Sequence, residues 1–250
     1  MKKIILISVY LFITVISVIG LQHVKAANEQ DSKVIPIKTL KKDVTGDNRR
    51  EKISLVGVPY EDNNSFFKNI YLIVKEKNGR KVKVPLEGGY EPKINFADFN
   101  HDRIKDVLVT VSTGGSGGLI SSYVYSFAGG RTKNLTVPPP VSVTAQFEED
   151  YKASIAVGGK KPVTIDVSSR KEDYARLGLY NKGKLNEPTE LMVDPYSVMK
   201  IVRLPGGKGL KGVQRVSGAY HADALADIAS VWFYKDGEWR MVKSSVKPLE

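Results

Sequence analysis

Apolar and β-branched residues recur along this chain in short runs of about four to seven, each closed by Gly, Pro, Asn or Asp. Runs of that length suit strands and are too short for amphipathic helices. Residues 69–74 and 81–84 flank Asn78-Gly79, and residues 230–234 and 239–242 flank Asp236-Gly237. Each pair predicts a β-hairpin with a type I′ turn, because Asn-Gly and Asp-Gly accept φ > 0 at both central positions. Further strands are expected at 52–56, 93–97, 107–111, 122–127, 141–147, 154–157, 163–167, 198–204 and 212–216. One short helix is expected near residues 169–177: Ser169 and Glu172 stand at capping-box spacing, and Gly178 supplies the stop. The fold class is therefore mainly β. Pro138-Pro139-Pro140 breaks the pattern, dividing a region at 27–137 from a C-terminal region at 138–250, the two packed as one domain.

The first 26 residues follow a different pattern. Lys2 and Lys3 precede an uncharged apolar run over residues 4–20, and Val24-Lys25-Ala26 has cleavage-site character. This predicts a signal peptide cut after Ala26 and a secreted bacterial protein, extracellular or wall-associated, free of the membrane after cleavage. The chain has no cysteine, so stability outside the cell cannot come from disulfides. Its formal net charge is +11. That balance suits an anionic wall polymer or a carbohydrate as partner, although the lysines are scattered and solubility alone explains them. No nucleic-acid module is visible, and a monomer is expected.

Two short acidic loops carry the strongest chemical signal. The first runs Asp43-Val-Thr45-Gly-Asp47-Asn-Arg-Arg-Glu51 and the second Asp98-Phe-Asn100-His-Asp102-Arg-Ile-Lys-Asp106. Both set oxygen-bearing side chains at positions 1, 3, 5 and 9. Alternate residues of a curled loop can converge on one hard cation, and Ca2+ takes about six to eight oxygens. A backbone carbonyl of Arg49 or Ile104 would complete the set. Position 12 is Ser54 or Val109 in a β run, which excludes a helical EF-hand. The plainer alternative is a pair of Asx turns that need no metal. The loops lie 55 residues apart and each leads into a strand, which predicts a propeller-like or related β-repeat array with no third acidic loop in view.

The motif Asp-x-Asn-x-Asp-x-x-x-Asp before an apolar strand resembles the FG-GAP or VCBS repeat of integrin-like β-propellers, over about residues 33–112. The resemblance implies a calcium-binding loop that stiffens the blades, with one or two Ca2+ ions held by Asp43, Thr45, Asp47 and Glu51 and by Asp98, Asn100, Asp102 and Asp106. It departs from the family at position 6, where Asn48 and Arg103 replace the usual glycine.

Other constellations carry less. Gly114-Gly-Ser116-Gly-Gly118 matches a nucleophile elbow in spelling, but a β-prone run follows it where a helix is required. Gly206-Gly207-Lys208-Gly209 reads as a bare turn. His221, Asp223 and Asp227 stand close enough in sequence to hold a transition metal, or to form only a polar loop. Trp232, Tyr234 and Trp239 either stack on a sugar or, as aromatics more often do, fill the core. The function expected is an exported calcium-binding β-repeat protein with a non-catalytic binding or structural role. The alternatives are a hydrolase acting on wall polymer or polysaccharide and a structural coat or matrix component.

Overall fold

The hairpins form where the turn residues put them. In the computed structural model, which describes residues 34–61 and 65–249, strands β1 (Ile35–Lys42), β2 (Glu51–Pro59), β3 (Phe66–Lys75) and β4 (Lys81–Leu86) run antiparallel to their neighbours. The expected signal peptide lies outside the described residues. The turn between β3 and β4 differs from expectation. Positive φ occurs at Gly79 (+91°) and not at Asn78, Gly79 N–H bonds to Glu76 O, and Glu76 N–H bonds to Arg80 O. This is a longer loop closed by one left-handed glycine, not a type I′ turn. At the C-terminus Asp236 (φ 56°) and Gly237 (φ 88°) make the expected two-residue turn.

Strands β5 (Gly89–Ala97), β6 (Asp106–Ser112), β7 (Ile120–Ser126) and β8 (Lys133–Asn134) extend the first four into one eight-stranded sheet. The outer edge of β3 is shared. Residues 70–75 pair with β4, whereas Phe66 and Phe67 pair with β5. Between them the chain turns a corner at Gly88 and Gly89. A Cβ there would lie 2.5 Å from Phe67 O or 2.3 Å from Ser112 O, so only glycine lets the backbones approach. Ile53, Leu55, Ile70, Leu72, Val107, Val109 and Val111 then share one core, which joins the two halves of the sheet.

β6 is apolar on both sides for a reason visible in its neighbours. Val107, Val109 and Val111 face that core, and Leu108 faces a second one with Phe99, Val124, Tyr196, Met199, Leu210 and Tyr234. The latter residues belong partly to a four-stranded meander, β14 (Met192–Leu204), β15 (Gly207–Ser217), β16 (Ala224–Lys235) and β17 (Glu238–Pro248). The even-numbered positions from Leu210 to Val216 in β15 are buried and pair with buried even-numbered positions of β16, as Leu210 with Trp232 and Val216 with Ala226. Period-two burial of one face is the expected reading of these strands. The same face reaches a third core formed with β9 (Val143–Glu148), β10 (Lys152–Val157), β11 (Val163–Asp166) and the short helix α1 (Lys171–Arg176). Two-residue strands β12 (Tyr180–Asn181) and β13 (Lys184–Leu185) complete the set.

The helix starts differently from the capping-box expectation. Arg170 occupies the N-cap with no side-chain bond, and Asp166 Oδ1 accepts the Ser168 N–H (2.8 Å) to start a 3-10 turn ahead of it. Gly178 stops it as expected, at φ 73°. The architecture is mainly β in several antiparallel sheets; no closed barrel and no propeller ring occurs among the described residues.

Candidate functional site

The two acidic loops are copies of one another in three dimensions. Each joins the ends of an antiparallel pair, closed by Lys42 opposite Glu51 and by Ala97 opposite Asp106. Val44 N–H donates to Glu51 Oε2 and Phe99 N–H to Asp106 Oδ2, each at 2.8 Å. Asn48 and Arg103 N–H donate to Asp43 and Asp98 Oδ2, each at 3.0 Å. Arg49 and Ile104 N–H donate to Asp47 and Asp102 Oδ1, each at 2.8 Å. Positive φ falls at positions 4 and 6 of both: Gly46 and Asn48 in the first, His101 and Arg103 in the second. The position-2 side chains, Val44 and Phe99, are fully buried and pin each loop to a core. The loops also touch. A Cβ on Gly46 would lie 2.5 Å from Ile104 Cδ1, so they pack side by side.

Much of the oxygen chemistry expected for metal is committed to these amides. Asp43 Oδ1 accepts Thr45 and Gly46 N–H, Asn100 Oδ1 accepts Asp102 N–H (3.1 Å), and Asn100 Nδ2 donates to Asp102 Oδ2 (2.9 Å). Among the described residues no group of three His, Asp or Glu side chains converges as a ready metal cluster. Several oxygens nevertheless remain buried with no hydrogen-bond partner: Thr45 Oγ1 and Glu51 Oε1 in the first loop, Asp98 Oδ1 and Asp106 Oδ1 in the second. Glu51 and Asp106 are about as buried as side chains become, at 1% and 0% exposure. Burial pushes the Asp106 carboxyl above its usual range, against the pull of the Phe99 and Asn100 N–H groups, both on Oδ2, and of the nearby Ser126 hydroxyl, which does not form a hydrogen bond to Oδ1. An uncompensated buried carboxylate is costly, and a cation in the loop would offset that cost, so the donor set fits a hard ion.

The other candidates come apart. His221 lies 3.6 Å from Asp194, Asp227 pairs with Arg215 (3.1 Å), and Asp223 accepts from Tyr174 Oη (2.6 Å) and pairs with Arg170 (2.7 Å). The three side chains take separate structural partners and do not converge. The Gly114–Gly118 segment lies in the connection between β6 and β7, with strands on both sides. Trp232 and Tyr234 are buried, and Trp239 packs on Phe99 (5.6 Å) and Tyr234 (5.2 Å), which is the core fate.

Sequence reasoning missed a pocket of about 470 Å3 beside the second loop, where Asp98, His101, Arg103 and Lys105 face Arg203 and Lys208 of the β14–β15 turn. The two sides are about 100 residues apart in the chain, and scattered basic residues give no local signal of convergence.

A family profile described as the YybI C-terminal domain matches residues 141–247. An uncharacterized protein, YybI of Bacillus subtilis (strain 168), is 26% identical over 220 residues, covering 84% of this chain and 84% of that protein. No solved structure matches. These findings overturn the FG-GAP or VCBS resemblance: the chain is similar to a different family, with no match to that repeat. The shared spelling has a local cause, since acids at positions 1, 5 and 9 bind the amides of a tight loop whatever fold it closes.

Proposed function

We propose that this chain is an exported β protein with a non-catalytic binding or structural role at the cell surface or outside the cell, steadied by Ca2+ in one or both acidic loops. The observation that carries the reading is the set of buried, unpartnered oxygens at positions 1 and 9 of the second loop, Asp98 Oδ1 and Asp106 Oδ1. In the first loop the unpartnered oxygens are Thr45 Oγ1 at position 3 and Glu51 Oε1 at position 9, so position 9 is common to both loops. On this reading β1–β4 and β5–β8 are two copies of a four-stranded repeat unit, since their loops share backbone conformation and hydrogen bonding at a 55-residue offset. In a chain without disulfides, ions would supply cross-links that cysteine does not.

The test is a thermal melt in calcium and in chelator, with Asp98→Ala and Asp106→Asn. For a site with Kd of about 0.1 mM in about 1 mM calcium, the expected gain is about 1.4 kcal/mol per ion. That corresponds to a Tm rise of about 3–6 °C. Asp106 has a raised folded pKa, so its stabilising contribution is present below the unfolded value and lost as pH rises through the folded one. At neutral pH and without calcium, Asp106→Asn therefore leaves stability equal or higher, keeping an acceptor for Phe99 N–H while removing a buried charge. In calcium the same variant loses the gain. Identical melts of the parent protein in calcium and chelator would defeat the reading and leave the loops as Asx turns.

A further inference from the structure

We propose that the pocket between the second acidic loop and the β14–β15 turn is an anion site that takes phosphate groups. Arg103 and Lys105 stand on one wall and Arg203 and Lys208 on the other. None of the four has a carboxylate within 4.0 Å among the described residues. Asp98 is the single acid of the lining, and its Oδ2 is bound to the Arg103 N–H.

Two independent features indicate that this charge is gathered at a cost. Arg203 and Lys208 are direct cross-strand partners at the end of the hairpin, an arrangement of like charges that destabilises a sheet unless an anion lies between them. The comparison of the two acidic loops gives the second. Where the first loop meets its position-6 positive φ with Asn48, a residue that tolerates it, the second places Arg103 (φ 71°). Strain of this kind is held where the side chain has a task, and Arg103 lines the pocket.

His101 also fixes the two walls relative to each other. Its ring stacks on Phe233 at 4.5 Å and lies against Gly207, where a Cβ would come within 2.5 Å of the imidazole. Phe99, buried among Tyr234 and Leu210, anchors the loop from below. The cations are thus presented from a fixed frame. Paired guanidinium forks with two ammonium groups match several anionic oxygens on one centre, which is the chemistry of phosphate more than of a lone carboxylate. The pocket size falls in the range of small-ligand sites, and it can accept a free phosphate or one group of a phosphodiester chain.

The experiment is titration calorimetry of the full protein with pyrophosphate, with a linear poly(glycerol phosphate) and with citrate, all in chelator so that the result is independent of calcium. The parent protein is expected to bind the phosphate ligands and to bind citrate at least about tenfold more weakly. Affinity should fall steadily with salt. Saturation by pyrophosphate alone assigns a free phosphate ligand, and tighter binding of the polymer assigns a phosphodiester chain. The double variant Arg203→Gln, Lys208→Gln should lose at least about tenfold in affinity. Its melt should be unchanged or raised, because a like-charge pair has gone, and this shows that the variant folds. Absence of binding, unchanged affinity in the double variant, or citrate binding as tightly as phosphate each overturns the proposal.

Discussion

Replacing Tyr174 by Phe should cost this protein a measurable share of its stability through a single buried bond. Tyr174 is fully buried in α1, and its hydroxyl donates to Asp223 Oδ2 at 2.6 Å. Asp223 also accepts the Ala219 N–H (2.9 Å) and pairs with Arg170 Nε (2.7 Å), whose Nη2 in turn donates to Ala224 O (3.1 Å). The contact is built closely, since a Cβ on Gly218 would lie 2.1 Å from Asp223 Oδ2 and 2.6 Å from the tyrosine oxygen. Phenylalanine keeps the ring contacts with Phe147 (5.3 Å) and Tyr180 (6.2 Å), so only the hydroxyl is removed. A hydrogen bond to a charged group contributes about 1.5–3 kcal/mol, which in a unit of this size lowers Tm by about 3–12 °C. Asp223→Ala should cost about 3 kcal/mol, the low end for breaking a buried pair, because the Arg170 side chain keeps 27% of its exposure and recovers some hydration. Urea unfolding at pH 7 gives both values. In an Asp223→Ala background, Tyr174→Phe should become nearly neutral. If Tyr174→Phe costs less than about 0.5 kcal/mol in the parent protein, or costs the same with and without Asp223, the bond does not carry the stability assigned to it.

Two further outcomes follow from the same packing. Phe99→Ala removes a fully buried ring that meets Trp239 and should cost about 3–5 kcal/mol by chemical denaturation, while loosening the second acidic loop. Alkaline titration should also destabilise the fold. Burial, with the nearby charges of Glu149 and Glu148, pushes Tyr180 up to about 12, and burial with the bond to Asp223 raises Tyr174 further. A raised folded pKa means that the stability is fully present below the unfolded value of about 10 and is lost as pH rises toward the folded value, at up to about 1.4 kcal/mol per pH unit per tyrosine. Melts from pH 9 to 12 measure this slope, and Tyr174→Phe should reduce it.

The elements that the sequence made legible are those set by local chemistry. Alternating runs marked the long strands of the C-terminal meander, Asp236-Gly237 closed its last hairpin, and Gly178 ended the helix, because turn conformation and side-chain alternation are properties of neighbouring residues. β1 (Ile35–Lys42) escaped notice because Pro36 and three exposed lysines interrupt its pattern, and only pairing with β2 makes it a strand. The acidic loops were legible as loops, and their spacing was legible as chemistry. Which oxygens bind amides and which stay buried without a partner depended on how each loop closes over its core through Val44 or Phe99.

Tertiary structure alone decided the rest. It made an eight-stranded sheet, folded at Gly88 and Gly89, and no propeller ring among the described residues, where a repeat period had predicted a propeller-like or related β-repeat array. It scattered His221, Asp223 and Asp227 to separate partners and gave Asp223 to Arg170 and Tyr174. It also brought Arg103 and Lys105 against Arg203 and Lys208. The physical reason is the same in each case. Local propensity acts over a few residues, whereas burial is satisfied by whichever distant surfaces fit together, and the positions of polar groups follow from that fit.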